Sequence, residues 1–359
     1  MVSKLNYPQI GLLILAWFIA DLLTPLIIRL CHHIGAVDRP HSYKIHKNAV
    51  PFLGGLAIYV SFSIALFSIL RFTGYEENKA LFSIIFGGCL VVLVGAIDDF
   101  RPISAVVKLG ILFVVTWFLA RFGVRIEMSG LFWVDLILTL IWIAGVTSSV
   151  NSMDNMDGAA TGIAAIAALA TTLVAFYSPP FGQPGVSFVA ITLFGSCLGF
   201  LRYNFRPARI FLGDNGSLLL GFLIASLMVL TGWARDDKFK AVIVPCAILV
   251  VPLYDITLST ILRIRSGVVS GIVEAIVYCG QDHLSHRLVA KGLSQQMAVI
   301  TMYAFGVIGG CLGFVISRPE VTPEIYIPIT AVSFIVLILF GVYLNGARVY
   351  PEKKTASRI

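Results

Sequence analysis

Four short runs of this chain carry side chains that could handle a phosphate group or a hard cation. The first ends Ile97-Asp98-Asp99-Phe100, at the edge of an apolar stretch. Adjacent carboxylates at such an edge repel each other and call for a cation or a shared proton nearby, although a solvated helix end accounts for the pair equally well. Lys108 lies inside the next apolar stretch, where an ammonium needs an anionic partner. A phosphate would serve, and so would one of those aspartates. The second run, Asn151-Ser152-Met153-Asp154-Asn155-Met156-Asp157-Gly158, spaces Asn151, Asp154 and Asp157 three apart. That spacing predicts one shared face if the sixth apolar span begins its helix there. Three oxygen-bearing side chains on one face suit a hard cation or sugar hydroxyls; helix capping explains one or two of them.

The third run is Phe211-Leu212-Gly213-Asp214-Asn215-Gly216-Ser217. Asp214 could serve simply as a helix cap, yet the flanking glycines permit close backbone approach by a ligand. Arg202, Arg206 and Arg209 precede it and suit an anionic group, though basic anchoring at a membrane face explains them equally. The fourth run is Asp282-His283-Leu284-Ser285-His286-Arg287, whose histidines and arginine could contact a diphosphate. No third metal ligand stands at a usual spacing there. The segment from Asp38 to His46, with Lys44 and His46, adds cations close to the Gly54-Gly55 pair. Asp21, Asp135 and Asp255 lie in or near apolar spans, where a carboxylate is costly. Asp255 stands two turns from Arg263 and is expected to support the site, whereas Asp21 and Asp135 are expected to pair with polar neighbours.

The elements that must hold these groups are membrane spans. Of 359 residues, 58% are hydrophobic and 13% charged, against roughly 45–50% and 25% in soluble domains. That composition excludes a soluble domain, a disordered chain and a nucleic-acid binder, despite the formal charge of +7. Apolar runs bounded by polar or Pro/Gly clusters predict eleven spans, at 8–30, 52–71, 80–97, 104–121, 131–147, 158–177, 186–202, 215–233, 240–262, 296–316 and 325–345. No repeat or long linker divides the chain, so residues 1–359 form one domain, an all-α polytopic membrane protein. Of the 26 Lys and Arg residues, 16 fall in one set of loops and 9 in the other, with Lys108 at a border. Short basic loops stay inside, which makes the first set cytoplasmic, the N-terminus external and the C-terminus cytoplasmic. All six histidines and the concentrated carboxylates belong to the cytoplasmic set, which places the site on loops 31–51, 98–108, 148–158, 202–217 and 263–295. The six cysteines show no metal-ligand spacing and read as small apolar packing residues.

In this order, the motifs resemble the polyprenyl-phosphate N-acetylhexosamine-1-phosphate transferase family, among them the bacterial members that start O-antigen, enterobacterial common antigen or teichoic acid synthesis. The resemblance runs from about Asp38 to Arg287. It implies an enzyme of the bacterial cytoplasmic (inner) membrane that takes a UDP-sugar donor and a polyprenyl phosphate acceptor and releases UMP. It implies Asp98 and Asp99 near the acceptor phosphate, with Asp98 a candidate base, and Lys108 against phosphate. Asn151 and Asp214 match the positions implied to hold Mg²⁺, with Mn²⁺ as a substitute. Asp154 and Asp157 match carboxylates associated with the nucleotide sugar, and His283, His286 and Arg287 match the histidine motif that grips the donor. Lys44 and His46 are candidate substrate contacts, and a homodimer is compatible with the pattern. Three positions depart from the family: Ser148 stands for an Asn, Ser285 for the middle histidine and Gly280 for an Asp. The loop between Gly267 and His283 is also longer than usual. Two other readings are weaker. A phospho-MurNAc-pentapeptide transferase would carry a run of adjacent histidines after a proline, absent here. A transporter would place its polar residues at mid-membrane, in repeated halves.

The charge tally sets a test of topology. A single cysteine at Asn48, with native thiols removed, is expected to resist an impermeant thiol reagent applied outside, while one at Asn78 reacts. Strong external labelling at position 48 would reverse the assignment.

Overall fold

In lipid every backbone N–H and C=O must be satisfied within its own segment, so the apolar runs become helices. The computed structural model of the chain describes residues 6–39, 49–73, 79–177, 183–231, 237–278, 280–347 and 349–350. In chain order the helices are α1 (Asn6–Ile34), α2 (Gly54–Thr73), α3 (Lys79–Phe100), α4 (Ala105–Arg121), α5 (Phe132–Met153), α6 (Ala159–Tyr177), α7 (Pro184–Asn204) and α8 (Gly213–Leu230). They continue as α9 (Lys238–Ile248), α10 (Val250–Arg265), α11 (Ile272–Val277), α12 (Leu284–Ala290), α13 (Gln295–Ile316) and α14 (Pro323–Asn345). Two strands, β1 (Val37–Asp38) and β2 (Val50–Pro51), form a short antiparallel ribbon that the sequence did not announce. The protein is an all-α polytopic membrane protein apart from that ribbon.

Among the described residues each of the eleven predicted spans is helical over most of its length, and eight helices are long and apolar enough to cross a bilayer. The ninth predicted span, 240–262, is not one rod: α9 and α10 meet at a bend of 83°. Pro252 causes it, since its ring cannot sit above the carbonyl four residues back, that of Ile248, and so α9 ends there. A second departure concerns Asn151, Asp154 and Asp157. They do not open the sixth helix; α5 runs on past its apolar stretch to Met153, and α6 starts only at Ala159. The three residues therefore lie at the end of one helix and in the turn to the next.

The bundle has an inside and an outside. In α6, α7 and α8, 78% of the apolar window is buried, against 22% in α1 and 11% in α14, whose Val332, Phe334, Leu339 and Val342 face outward as lipid-facing residues should. The sequence of α6 is mostly alanine on its buried faces, and it packs between α7 and α13. Glycines set the closest approaches. A Cβ on Gly95 of α3 would stand 2.4 Å from the Cα of Asn215, at the start of α8, and one on Gly221 would stand 2.7 Å from the Cα of Thr147 in α5. As expected, Asp21 pairs with Arg202 at 2.9 Å and Asp135 accepts from Ser129 at 2.8 Å. The five described cysteines are free thiols.

Gly95 and Gly110 give opposite expectations. Gly95→Ala forces α3 away from α8 and should lower stability by about 1–3 kcal/mol, a typical overpacking cost. Gly110→Ala, with nothing within 4 Å of the new methyl, should leave the melting temperature in detergent unchanged or slightly raised.

Candidate active site

The site begins where α3 ends against the start of α8. Both oxygens of Asp99 are taken: Oδ1 accepts the Asp214 backbone N–H at 2.8 Å, and Oδ2 accepts from Asn215 N at 3.1 Å and Asn215 Nδ2 at 2.5 Å. Asp99 is thus a cap for α8 supplied by another helix, satisfying donors that a helix start leaves unpaired and facing the positive end of its dipole. Gly213, at φ +73, makes the turn into α8, and a side chain there would collide with the Phe52 carbonyl. That carbonyl lies on the segment after β2, which bonds to the α8 approach through Phe211 N to Pro51 O at 2.7 Å and Gly54 N to Phe211 O at 3.1 Å.

Asp98, the neighbouring carboxylate, is 7% exposed and accepts from Ile103 N and from Lys108 Nζ, each at 2.6 Å. Lys108 lies in the first turn of α4, and its ammonium also reaches Asp214 Oδ2 at 3.3 Å. The other oxygen of Asp214 accepts from Asn151 Nδ2 at 3.1 Å, and that amide also donates to Ser217 Oγ at 2.8 Å. Asp98, Lys108, Asp214 and Asn151 therefore form one connected line; Asp98 is one of the partners the sequence left open for Lys108, and the bond to Asp214 adds to it.

Asp154 closes α5, and Asp157 Oδ2 accepts the Ala208 N–H at 3.1 Å, tying the α5–α6 turn to the loop before α8. Gly158, at φ +78, completes the turn, and Tyr303 of α13 donates to its carbonyl at 2.6 Å. A cavity of about 1100 Å³ opens here, lined by Asp99, Asp154, Asp157 and Asp214 together with Arg206 and His286. Burial pushes the Asp154 carboxyl up to about 8, and the charges of Asp214, Asp99 and Asp157 push it the same way. This excess of negative charge fits a divalent cation. Among the described residues no group of three or more His, Cys, Asp or Glu side chains is arranged to hold a metal ion by itself. An open site of one or two carboxylates that leaves room for phosphate oxygens is what Mg²⁺ ordinarily uses, and Asp214, Asn151 and Asp154 could provide it.

The histidine run behaves differently from expectation. His286, on α12, lines the cavity, and burial followed by the nearby His283 lowers its pKa, which keeps its ring neutral. His283 and Arg287 instead point into the protein. Nδ1 of His283 lies 2.9 Å from Asp255 Oδ2, and its Nε2 lies 3.2 Å from Arg263 Nη2. Arg263 can only donate, so Nε2 accepts and Nδ1 donates, leaving the ring no free proton for a diphosphate. Asp255 also accepts the Leu284 N–H at 2.5 Å, which bears out its supporting role. Arg287 is 1% exposed and donates to Tyr350 Oη at 2.7 Å. These two residues hold the segment in place and do not reach the cavity. Lys44 and His46 lie outside the described residues. Sequence reasoning passed over Asn155, which lines the cavity and accepts from Ser285 Oγ at 2.6 Å, and over Tyr350. Asn155 could have been suspected as a polar residue between two candidate aspartates; Tyr350 gave no signal.

Fold and site together define a polytopic membrane protein whose carboxylates, lysine and asparagines gather at one mouth of its bundle. Residues 81–232, which span Asp98 to Asp214, match the family described as Glycosyl transferase family 4. The chain is 32% identical over 347 residues to the Bacillus subtilis (strain 168) protein named probable undecaprenyl-phosphate N-acetylglucosaminyl 1-phosphate transferase, covering 94% of this chain and 93% of that one. It is 26% identical over 317 residues to the decaprenyl-phosphate N-acetylglucosaminephosphotransferase of Mycobacterium leprae (strain TN), covering 78% and 76%. It is 30% identical over 284 residues to the phospho-N-acetylmuramoyl-pentapeptide-transferase of Clostridium perfringens (strain 13 / Type A), covering 72% and 84%. The protein belongs to this family of polyprenyl-phosphate sugar-1-phosphate transferases.

The raised Asp154 pKa has a consequence for stability. A carboxyl that holds its proton more tightly folded than unfolded destabilises the folded state as pH rises from about 4 towards about 8. In EDTA the melting temperature should therefore fall across that range, and millimolar Mg²⁺ at pH 8 should restore it. Asp154→Asn should flatten this part of the profile. A melting temperature at pH 8 that ignores Mg²⁺ would count against a cation among these carboxylates.

Proposed function

We propose that the protein transfers N-acetylhexosamine 1-phosphate from a UDP-sugar to undecaprenyl (polyprenyl) phosphate and releases UMP, as the first membrane step of cell-envelope polysaccharide synthesis. The observation that carries this reading is the acidic cavity at one mouth of a lipid-embedded bundle, with Lys108 bonded to Asp98 and to Asp214, which lines it. UDP-GlcNAc is the favoured donor, since the Bacillus subtilis and Mycobacterium leprae relatives are named for N-acetylglucosamine.

In this reading an oxygen of the lipid phosphate attacks the β-phosphorus of the UDP-sugar as the bond to UMP breaks. Mg²⁺, or Mn²⁺ in its place, held by Asp214 and Asn151 beside Asp154, would neutralise charge on the diphosphate and on departing UMP. Lys108 pairs with Asp98 and with Asp214 and so links the two carboxylates. Asp98 has one oxygen on a backbone N–H and the other on Lys108, which leaves it poorly placed as a base. A base is not required, because a phosphate monoester loses its second proton near pH ~6. The neutral ring of His286 offers an N–H donor to the diphosphate or sugar. Asp99 acts on Asp214 by fixing the backbone that carries it. We further assign the mouth to the cytoplasmic side of a bacterial inner membrane, with eleven spans and an external N-terminus, from the distribution of basic residues.

The peptidoglycan reading has one point in favour, the 30% identity to the Clostridium perfringens enzyme, but that match covers 72% of the chain against 94% for the Bacillus subtilis relative. The run of adjacent histidines after a proline that marks that enzyme class is also absent from this sequence.

Purified protein with undecaprenyl phosphate, UDP-GlcNAc and Mg²⁺ should yield UMP and a lipid-linked sugar diphosphate. Added UMP should drive the reverse reaction, because one diphosphate linkage is exchanged for another. Asp214→Asn should lower turnover about 10²–10³-fold, the usual effect of losing one charged group at a reacting phosphate, with the melting temperature preserved. UMP release without lipid would mark a hydrolase. Turnover of UDP-MurNAc-pentapeptide in preference to UDP-GlcNAc would favour the peptidoglycan reading.

A further inference from the structure

The last helix, α14, is the least buried in the bundle, with 11% of its apolar window covered. Few contacts hold it. Tyr254 Oη donates to the Leu337 carbonyl at 3.0 Å, Phe340 stacks on Phe305, and Lys291 stands 4.6 Å over the Tyr343 ring. Lys291 directly follows α12, so the end of α14 is docked beside the short helix that carries His286. Four residues beyond Gly346, the chain delivers Tyr350 to the same place.

There Tyr350 joins two ions that do not reach each other. Arg287 Nη2 and Asp282 Oδ2 are 4.0 Å apart, too far for a hydrogen bond. The phenol oxygen accepts from Arg287 Nη2 at 2.7 Å and donates to Asp282 Oδ2 at 2.8 Å. The Arg287 guanidinium also lies 5.2 Å over the phenol ring. Asp282 and Arg287 are each 1% exposed, and Arg287 Nε has no partner, so losing the hydroxyl would strand buried charge. Asp282 is itself held from the far side by a two-pronged pair with Arg263, at 2.8 and 2.6 Å. Burial beside Asp282 pushes the phenol up to about 12, which keeps its donor proton in place. Asp282 precedes α12 and Arg287 lies within it, so one hydroxyl fixes both the entry and the body of the helix on which His286 rides.

We propose that Tyr350 is a positioning residue: through Asp282 and Arg287 it sets the orientation of α12, and thereby the placement of His286 against the donor end of the cavity. The inference rests on the reading of that cavity as the UDP-sugar site. On this view α14 serves to return the chain to the mouth, which explains a helix that contributes so little to the core.

The test is Tyr350→Phe in the full-length protein, which keeps the ring under Arg287 and removes only the bridging oxygen. Backbone amide exchange over residues 282–290, measured without substrate, should accelerate at least several-fold, with no change in α3 or α8. The KM for UDP-GlcNAc should rise about tenfold, while kcat and the KM for undecaprenyl phosphate stay within twofold. His286→Ala should raise the same KM without altering exchange, and the double variant should show little more than His286→Ala alone. Removing residues 351–359 should change nothing, and removing 347–359 should reproduce Tyr350→Phe; this pair decides the matter if the point variant fails to fold. Unchanged exchange in Tyr350→Phe would overturn the proposal whatever the enzyme's substrate. Equal losses in kcat and in both KM values would overturn it too, as the sign of a general structural defect. Accelerated exchange with no turnover of any UDP-sugar by the unmodified protein would leave the latch standing and remove the proposed function.

Discussion

The carboxylate of Asp99 receiving the first amides of α8 is the contact on which the mouth of this protein depends. A helix start has N–H groups with no partner inside the helix, and they must be met by something. Meeting them from the end of α3 fixes two helices end to side and forbids bulk between them, which is why Gly95 lies directly against Asn215. It also fixes the direction of Asp214, whose backbone N–H is one of the groups held. The adjacent Asp98 is then free to anchor Lys108, so two neighbouring carboxylates divide the work: one orders backbone, the other orders charge.

The charge arrangement follows from that division. Lys108 offsets part of the negative field through Asp98 and Asp214, but Asp154 and Asp157 hang from the α5–α6 turn without a cation bonded to them in the described contacts. On the opposite wall the cations run inward: Arg263 and Arg287 are spent on Asp282 and Tyr350 and stay buried. The lining described is thus mostly acidic, with Arg206 and His286 among it, while Arg263 and Arg287 act as braces behind it. Such a cavity is suited to a substrate that arrives with its own divalent counter-ion, and poorly suited to a bare polyanion.

Much of this was legible in the sequence because polar groups are expensive near lipid and stand out against it. The aspartates, Asn151 and Lys108 stood out that way, and Asp255 bonds the start of α12 behind the cavity. What stayed hidden has physical reasons. The fifth helix outlasts its apolar run, because α8 covers it where lipid no longer does, so Asn151 looked like the start of the next helix. The bend between α9 and α10 was disguised by unbroken hydrophobicity, although Pro252 held the signal. His283 caps the short α12 and bonds Asp255 behind it, whereas His286 within the helix lines the cavity, and spacing alone could not assign either to the cavity. Asn155 and Tyr350 act across 130 and 68 residues of chain, distances at which local pattern carries no information.

The alanine-rich α6 has a consequence of scale. A rod of alanines is close to the thinnest object a folded chain can make, and neighbouring axes can approach to about 8 Å across such surfaces. Because α6 stands between α7 and α13, its girth is the gauge that separates the loop bearing Ala208 from Gln295 at the head of α13, both of which border the cavity. Leucines along α6 would press α7 and α13 apart, and with them two borders of the cavity, without any change in the residues that line it.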